Sequence, residues 1–214
     1  MKNKQFLLIG TWLVIVLLTH LLKFNFPIGC QSASLRFIAI TLPALAYFLP
    51  ATLSLSLIGS AWLVLQIAYG TPLTLGIPTL FASLSWIASK EKGIKNLAMH
   101  VAIPLIAMGM YCFSEVGSGA WAYSLYWLIP IACAFLKTSP ITRALQSTFL
   151  AHAAGSVIWV YLMPLSSEQW LALIPVVAVE RIVSVVLSLG VISLVSFVAN
   201  TATKPVLEKK TQTI

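Results

Sequence analysis

The chain is a succession of apolar runs separated by short basic or Gly/Pro-bearing breaks. A basic start, Met1–Lys4, precedes an apolar run from Gln5 to Leu22 that reads as an uncleaved first helix rather than a signal peptide. Lys23–Ser34, with Pro27 and Gly29, reads as an outer loop. Arg36–Tyr69 is apolar throughout but interrupted by Pro43 and Pro50. As one helix it would be about 51 Å long, too long for one crossing without strong tilt. It is therefore either one kinked helix or two short ones turning near Pro50. Gly and Pro are dense from Gly70 to Thr79, which predicts a helix stop there. Pro78 then opens a helix to Ser89 of only about 18 Å, too short to span a bilayer. Leu97–Phe113, Trp121–Leu136, Arg143–Met163 and Trp170 to about Ala199 complete the set. No repeat of fixed period emerges.

This pattern predicts an all-α integral membrane bundle of six to eight transmembrane segments, one of them broken or re-entrant. Residues 1–199 read as a single membrane domain and residues 200–214 as a basic, disordered tail. Composition agrees: 59% of residues are hydrophobic and 8% charged, against about 25% charged in soluble domains. The net charge of +8 does not point to nucleic acid, because the cations are not spread along a helix face interleaved with polar residues. They cluster at Lys2/Lys4, Lys90/Lys92/Lys95, Lys137/Arg143 and Lys204/Lys209/Lys210, at ends and between apolar runs. The positive-inside rule places all four clusters, and both termini, in the cytoplasm of a cell bearing the protein in its plasma or inner membrane. The three cysteines form no CxxC and no paired framework.

Ionisable groups inside apolar runs mark candidate chemistry. His152 lies about 13 Å along its helix from Arg143, and Glu180 and Arg181 lie about 16 Å beyond Gln169, so all three are predicted near the midplane. A charge there needs a partner or a polar cavity. Thr148, His152 and Ser156 recur every four residues, flanked by Gly155 and Trp159, while Ser184 and Ser188 follow Glu180. Arg181 projects about 100° away from Glu180, so His152 is the expected partner of Glu180. The functional reading is a substrate-binding cavity lined by these residues, with Trp159 as an aromatic wall. The structural reading is a bridge that fixes helix register. The Gly70–Thr79 stretch offers a second candidate, with Gly76 allowing close approach and Thr79 a hydroxyl, at a half-helix whose N–H groups face a ligand. Its bland alternative is an ordinary outer loop. His20 and His100 read as isolated interfacial residues.

Absences narrow the classes. The chain has no GxxxxGK[ST], no HExxH and no aspartate at all. Ser118 belongs at the outer surface, away from His152, so a serine nucleophile is not expected. No metal and no cofactor is expected, and the chain reads as a non-enzyme.

The stretches GIPTLFASLSW, STFLAHAAGSVIWVY and PVVAVER, with the size, the helix count and the basic balance, resemble the substrate-binding (S) subunits of energy-coupling-factor vitamin transporters. The resemblance covers roughly residues 33–199. It implies outer-side capture of a vitamin-like compound, a separate transmembrane coupling subunit and two ATPases as partners. Many such subunits carry an Ala-xxx-Ala pair on their first helix. Residues 5–22 lack it, whereas Ala98 and Ala102 have that spacing on a later helix, so Gln5–Leu22 would be an extra helix ahead of the shared core. Two other functions fit the residues: a self-sufficient proton-linked transporter using His152 and Glu180, and a structural or assembly membrane protein.

Overall fold

Each apolar run folds as helix, and most turns fall where proline, glycine or a basic cluster interrupts a run, although Pro43 and Pro78 lie inside helices. The computed structural model describes residues 2–20, 22–28, 31–69, 73–91 and 93–211. Helix α1 is Lys2–His20. A two-stranded antiparallel hairpin follows, β1 (Lys23–Ile28) and β2 (Gln31–Arg36), with Lys23 opposite Arg36. The sequence predicts an irregular loop here. The ribbon tolerates Pro27 because each strand has a free edge and need not donate on both sides.

Arg36–Tyr69 becomes two helices, α2 (Ile38–Phe48) and α3 (Ala51–Tyr69), parted at Leu49–Pro50. Helix α4, Leu73–Ala88, then runs straight through Gly76 and Pro78, where the sequence predicts a stop. Packing against its neighbours outweighs the ladder bond that Pro78 forfeits. The break itself, residues 70–72, lies outside the described residues, as does Thr71. Helix α5 (Ile94–Leu97), a π stretch (Ala98–Ala102) and α6 (Ile103–Cys112) form one continuous rod. A short α7 (Glu115–Gly119), capped by Ser114, leads into a 3₁₀ stretch (Trp121–Trp127) and α8 (Leu128–Ala134).

Ser139 and Thr142 make a capping box for α9, Pro140–Leu162, with Pro140 at its first position. A second box, Ser166 with Gln169, starts α10 (Ser167–Ala172). The last helix, α11, runs from Ile174 to Thr211. The expected disordered tail from Asn200 is thus helical to Thr211, since extending an existing helix is far cheaper than nucleating one.

Among the described residues, two helices, Ile94–Cys112 and Ile174–Thr201, are long and apolar enough to cross a membrane. Shorter apolar helices include Ile9–Thr19, Ile38–Phe48, Ala51–Val64, Gly76–Ala88 and Trp121–Ala134. Helix α9 buries polar side chains along its length: Gln146, Ser147, Thr148, His152 and Ser156 are all buried. Outward-facing positions are apolar instead, with Leu17, Ile67, Phe113 and Phe197 exposed. Helix α9 packs on α4 where Gly155 meets Pro78 and where the Ser147 hydroxyl donates to the Ala82 carbonyl (3.0 Å). Helix α1 is fastened to α2 by Trp12 Nε1, which donates to the Thr41 carbonyl (2.9 Å), and by the Thr19–Thr41 hydroxyl pair (2.9 Å). One end of the bundle collects the turns at 49–50, 89–93 and 135–139; the other carries residues 113–120 and 163–166.

Candidate functional site

The His152 side of α9 faces a dense aromatic cluster. The 3₁₀ stretch has about three residues per turn, so Tyr123 and Tyr126 stack on one face of WAYSLYW and Trp127 falls beside them. Tyr111 arrives from the end of α6 and Trp170 from α10, which its capping box holds in place. The His152 ring centroid lies 5.3 Å from Tyr123, 6.2 Å from Tyr126 and 6.4 Å from Trp127. Tyr111 stacks on Tyr123 at 5.7 Å and meets Trp127 and Trp170 edge-on, each at 5.4 Å. Ser156 bridges the two sides: its hydroxyl is 3.3 Å from the Tyr123 hydroxyl and 3.5 Å from His152 Nδ1.

Four polar atoms of this cluster are buried with no protein partner: Tyr111 Oη, Trp127 Nε1, Trp170 Nε1 and His152 Nε2. Each such group costs about 1–3 kcal/mol if nothing satisfies it. Two are indole N–H groups, which can only donate, so the cluster as built asks for acceptor atoms. Tyr126 forms the wall between the cluster and an open cavity of about 390 Å³ lined by Ala122, Leu125, Tyr126, Ile129 and Ile174. Its hydroxyl donates to the Ile174 carbonyl (2.8 Å) and fixes the ring in that position.

Glu180 does not meet His152. Its carboxylate pairs with Arg181 on the same helix, Nη2 to Oε1 at 2.6 Å, both side chains being largely buried. The 100° between adjacent helical positions is overcome by the reach of the arginine side chain. The charge of Arg181 still acts on His152, and the charges of Arg181 and Glu180 both act on Tyr123. Ser184 spends its hydroxyl on the Glu180 carbonyl (2.8 Å), one turn back in its own helix.

The remaining predicted residues are placed as follows. Ser156 belongs to the cluster, and Thr148 is buried one turn below His152. Trp159 is exposed on the bundle surface, so the aromatic wall is supplied by Tyr123, Tyr126, Trp127 and Trp170 instead. Gly76 is a packing glycine, because a Cβ there would run into the Trp62 indole of α3. The Thr79 carbonyl accepts from the Ser83 hydroxyl (2.8 Å) within α4. Tyr111, Tyr123, Tyr126, Trp127 and Trp170 are not among the candidate residues read from the sequence. The readable signal was the spacing of three aromatic residues at 123, 126 and 127.

A second polar centre corrects the view of His100 as a lone interfacial residue. It is fully buried, with Nε2 2.8 Å from the Ser85 hydroxyl and Nδ1 2.7 Å from Asn96 Oδ1. Asn96 Nδ2 donates to the Glu91 carbonyl (3.2 Å), which turns its Oδ1 toward the imidazole. The network therefore assigns the proton to Nδ1 and makes Ser85 the donor to Nε2. Every member is satisfied and Ser85 is sealed from solvent, so this centre clamps α4 to the π stretch. Ser118 is exposed and donates to the Glu115 carbonyl (2.8 Å), with no histidine at hand. Among the described residues no group of three His, Cys, Asp or Glu side chains could hold a metal, and Cys112 and Cys133 are free.

No family model, no curated protein and no solved structure matches this chain.

Proposed function

We propose that the chain is a membrane-embedded small-molecule-binding subunit of an uptake system, energised by separate partner subunits. The observation that carries this reading is the set of four unpartnered polar atoms inside the aromatic cluster around His152. Bundle interiors without a ligand role satisfy such groups or replace them with apolar side chains. Polar residues buried on α9 and apolar residues facing outward are what a bilayer requires, since lipid rewards the reverse of a soluble pattern.

Eight crossings fit better than six. What supports the larger number is that the Lys90 ammonium donates to the Leu49 carbonyl (2.9 Å), so the Pro50 turn lies beside the basic end of α4. With the basic end cytoplasmic, both termini are cytoplasmic too. The His152 cluster then lies nearer the outer face than the midplane, because Tyr111 and Trp170 close it from the outer connections. Substrate would reach it through the cavity beside Tyr126, with His152, Trp127 and Trp170 as hydrogen-bonding groups and the Glu180–Arg181 pair setting the field.

The test is purification in mild detergent followed by mass spectrometry of small molecules and proteins that travel with the chain. A stoichiometric compound that disappears from a Trp127→Phe/Trp170→Phe variant of unchanged thermal stability is the expected result. Recovery of the same compound from that variant, or of none from the wild type, would overturn the assignment.

A further inference from the structure

Lys90 and Arg143 converge on the last turn of α2. The Lys90 ammonium donates to the Leu49 carbonyl (2.9 Å), and the Arg143 guanidinium stands over the Tyr47 ring, 6.0 Å from its centroid. The two cations are close enough to act on each other electrostatically. Among the described residues the ion pair is Glu180 with Arg181, and no carboxylate answers either Lys90 or Arg143. The Leu49 carbonyl uses one of three ammonium protons. Arg143 Nε is buried with no acceptor. Arg143 also sits in the first turn of α9, where the helix dipole adds to its charge instead of opposing it. Partial burial of the ammonium, and after it the charge of Arg143, hold Lys90 below its ordinary range, although the residue as a whole is exposed. Such a pair lacks an anion.

The surroundings indicate which anion. Phe135, Leu136 and Ile141 are exposed apolar side chains in the turn and helix start beside Arg143, and Ile94 is exposed beyond Lys90. A free phosphate would gain nothing from them, whereas acyl chains would lie against them. Guanidinium geometry suits a phosphate held by two parallel hydrogen bonds. We propose that Lys90 and Arg143 form a binding site for the phosphate of an anionic phospholipid headgroup, at the cytoplasmic end of the bundle between α2, α4 and α9. A zwitterionic headgroup fits less well, because its ammonium would face two cations. The site rests on the membrane part of the functional reading and is independent of the His152 cluster.

The experiment reconstitutes the full chain in nanodiscs of phosphatidylcholine with and without phosphatidylglycerol, and counts retained lipids by native mass spectrometry. Wild type is expected to retain phosphatidylglycerol in preference. Lys90→Gln and Arg143→Gln should each reduce that preference about fivefold, and the pair about 30-fold. Arg143→Lys should keep most of it. If Arg143→Gln fails to fold, Lys90→Gln, in an exposed turn, carries the same test alone. Equal retention of both lipids, an unchanged preference in Lys90→Gln, or displacement of the lipid by millimolar inorganic phosphate would each overturn the proposal. A chain that stays soluble and folded without detergent or lipid would defeat the membrane reading itself, which is a separate observation.

Discussion

The rings of His152 and Tyr123 lie 5.3 Å apart, and the Ser156 hydroxyl stands between their polar atoms. This contact joins α9 to the 3₁₀ stretch through a mixed aromatic and hydrogen-bonded seam. A double-mutant cycle on His152→Ala and Tyr123→Phe, read as detergent stability, should give a coupling of about 0.5–3 kcal/mol. The cycle of His152→Ala with Glu180→Gln should be additive within about 0.5 kcal/mol, because Glu180 has its partner elsewhere. Additivity in the first cycle would remove the seam.

Glu180 and Arg181 should behave as a unit. Glu180→Gln leaves a largely buried guanidinium without its counter-charge, a loss of about 3–5 kcal/mol by precedent for buried pairs, reduced here by partial exposure. Glu180→Gln with Arg181→Met should recover much of that loss. Thermal unfolding of the three variants decides it; a double variant less stable than either single would contradict the pairing.

Gly76→Val should destabilise the fold by about 1–3 kcal/mol, the cost of overpacking a closed contact. The cause would be collision with the Trp62 indole, so adding Trp62→Ala should restore part of the loss. Melting temperatures test this. A fully stable Gly76→Val protein with weakened ligand binding would return Gly76 to the binding site.

His100→Ala should be among the more damaging single changes on the α4–α6 contact. It strands the fully buried Ser85 hydroxyl, at a cost of about 1–3 kcal/mol, whereas the part-exposed Asn96 carboxamide can turn to solvent. The variant with Ser85→Ala added should be no worse than His100→Ala alone. Denaturation in detergent, compared across the set, provides the reading.

Reporter fusions at Lys95, at Lys137 and after Thr211 should all report the cytoplasm, and one in the turn at 163–166 should report the outside. A cytoplasmic signal from the last would break the eight-crossing order.

Much of the helical layout was legible because it depends on local chemistry. Pro50 divides Arg36–Tyr69 and basic residues mark the turns, but α9 begins at Pro140, three residues before the Arg143 start read from the sequence, because Ser139 and Thr142 cap it there. What was misread depends on neighbours. Pro78 and Gly76 look like breakers, yet α9 and Trp62 pack against that stretch and hold it helical. The partner of Glu180 could not be read from helical geometry, since the flexible Arg181 side chain bends back over one residue. His152 and Ser156 were readable from their four-residue spacing. Tyr111 and Trp170 were not, because only the fold brings the ends of α6 and α10 to the same face of α9.

The π stretch Ala98–Ala102 holds one residue more than an α-helical rod of the same length would need. It behaves as a spare link. A single-residue deletion there would give a smooth, regular rod, and a helix-propensity scale would score it as an improvement. Because the stretch absorbs its extra residue locally, α5 and α6 would keep their places, and the change would fall on His100 inside it, which is held between Ser85 and Asn96. A deletion ahead of His100 changes its four-residue spacing from Asn96, whereas replacement of Ala98 does not, so homologous chains should tolerate replacement of Ala98 far more readily than its loss.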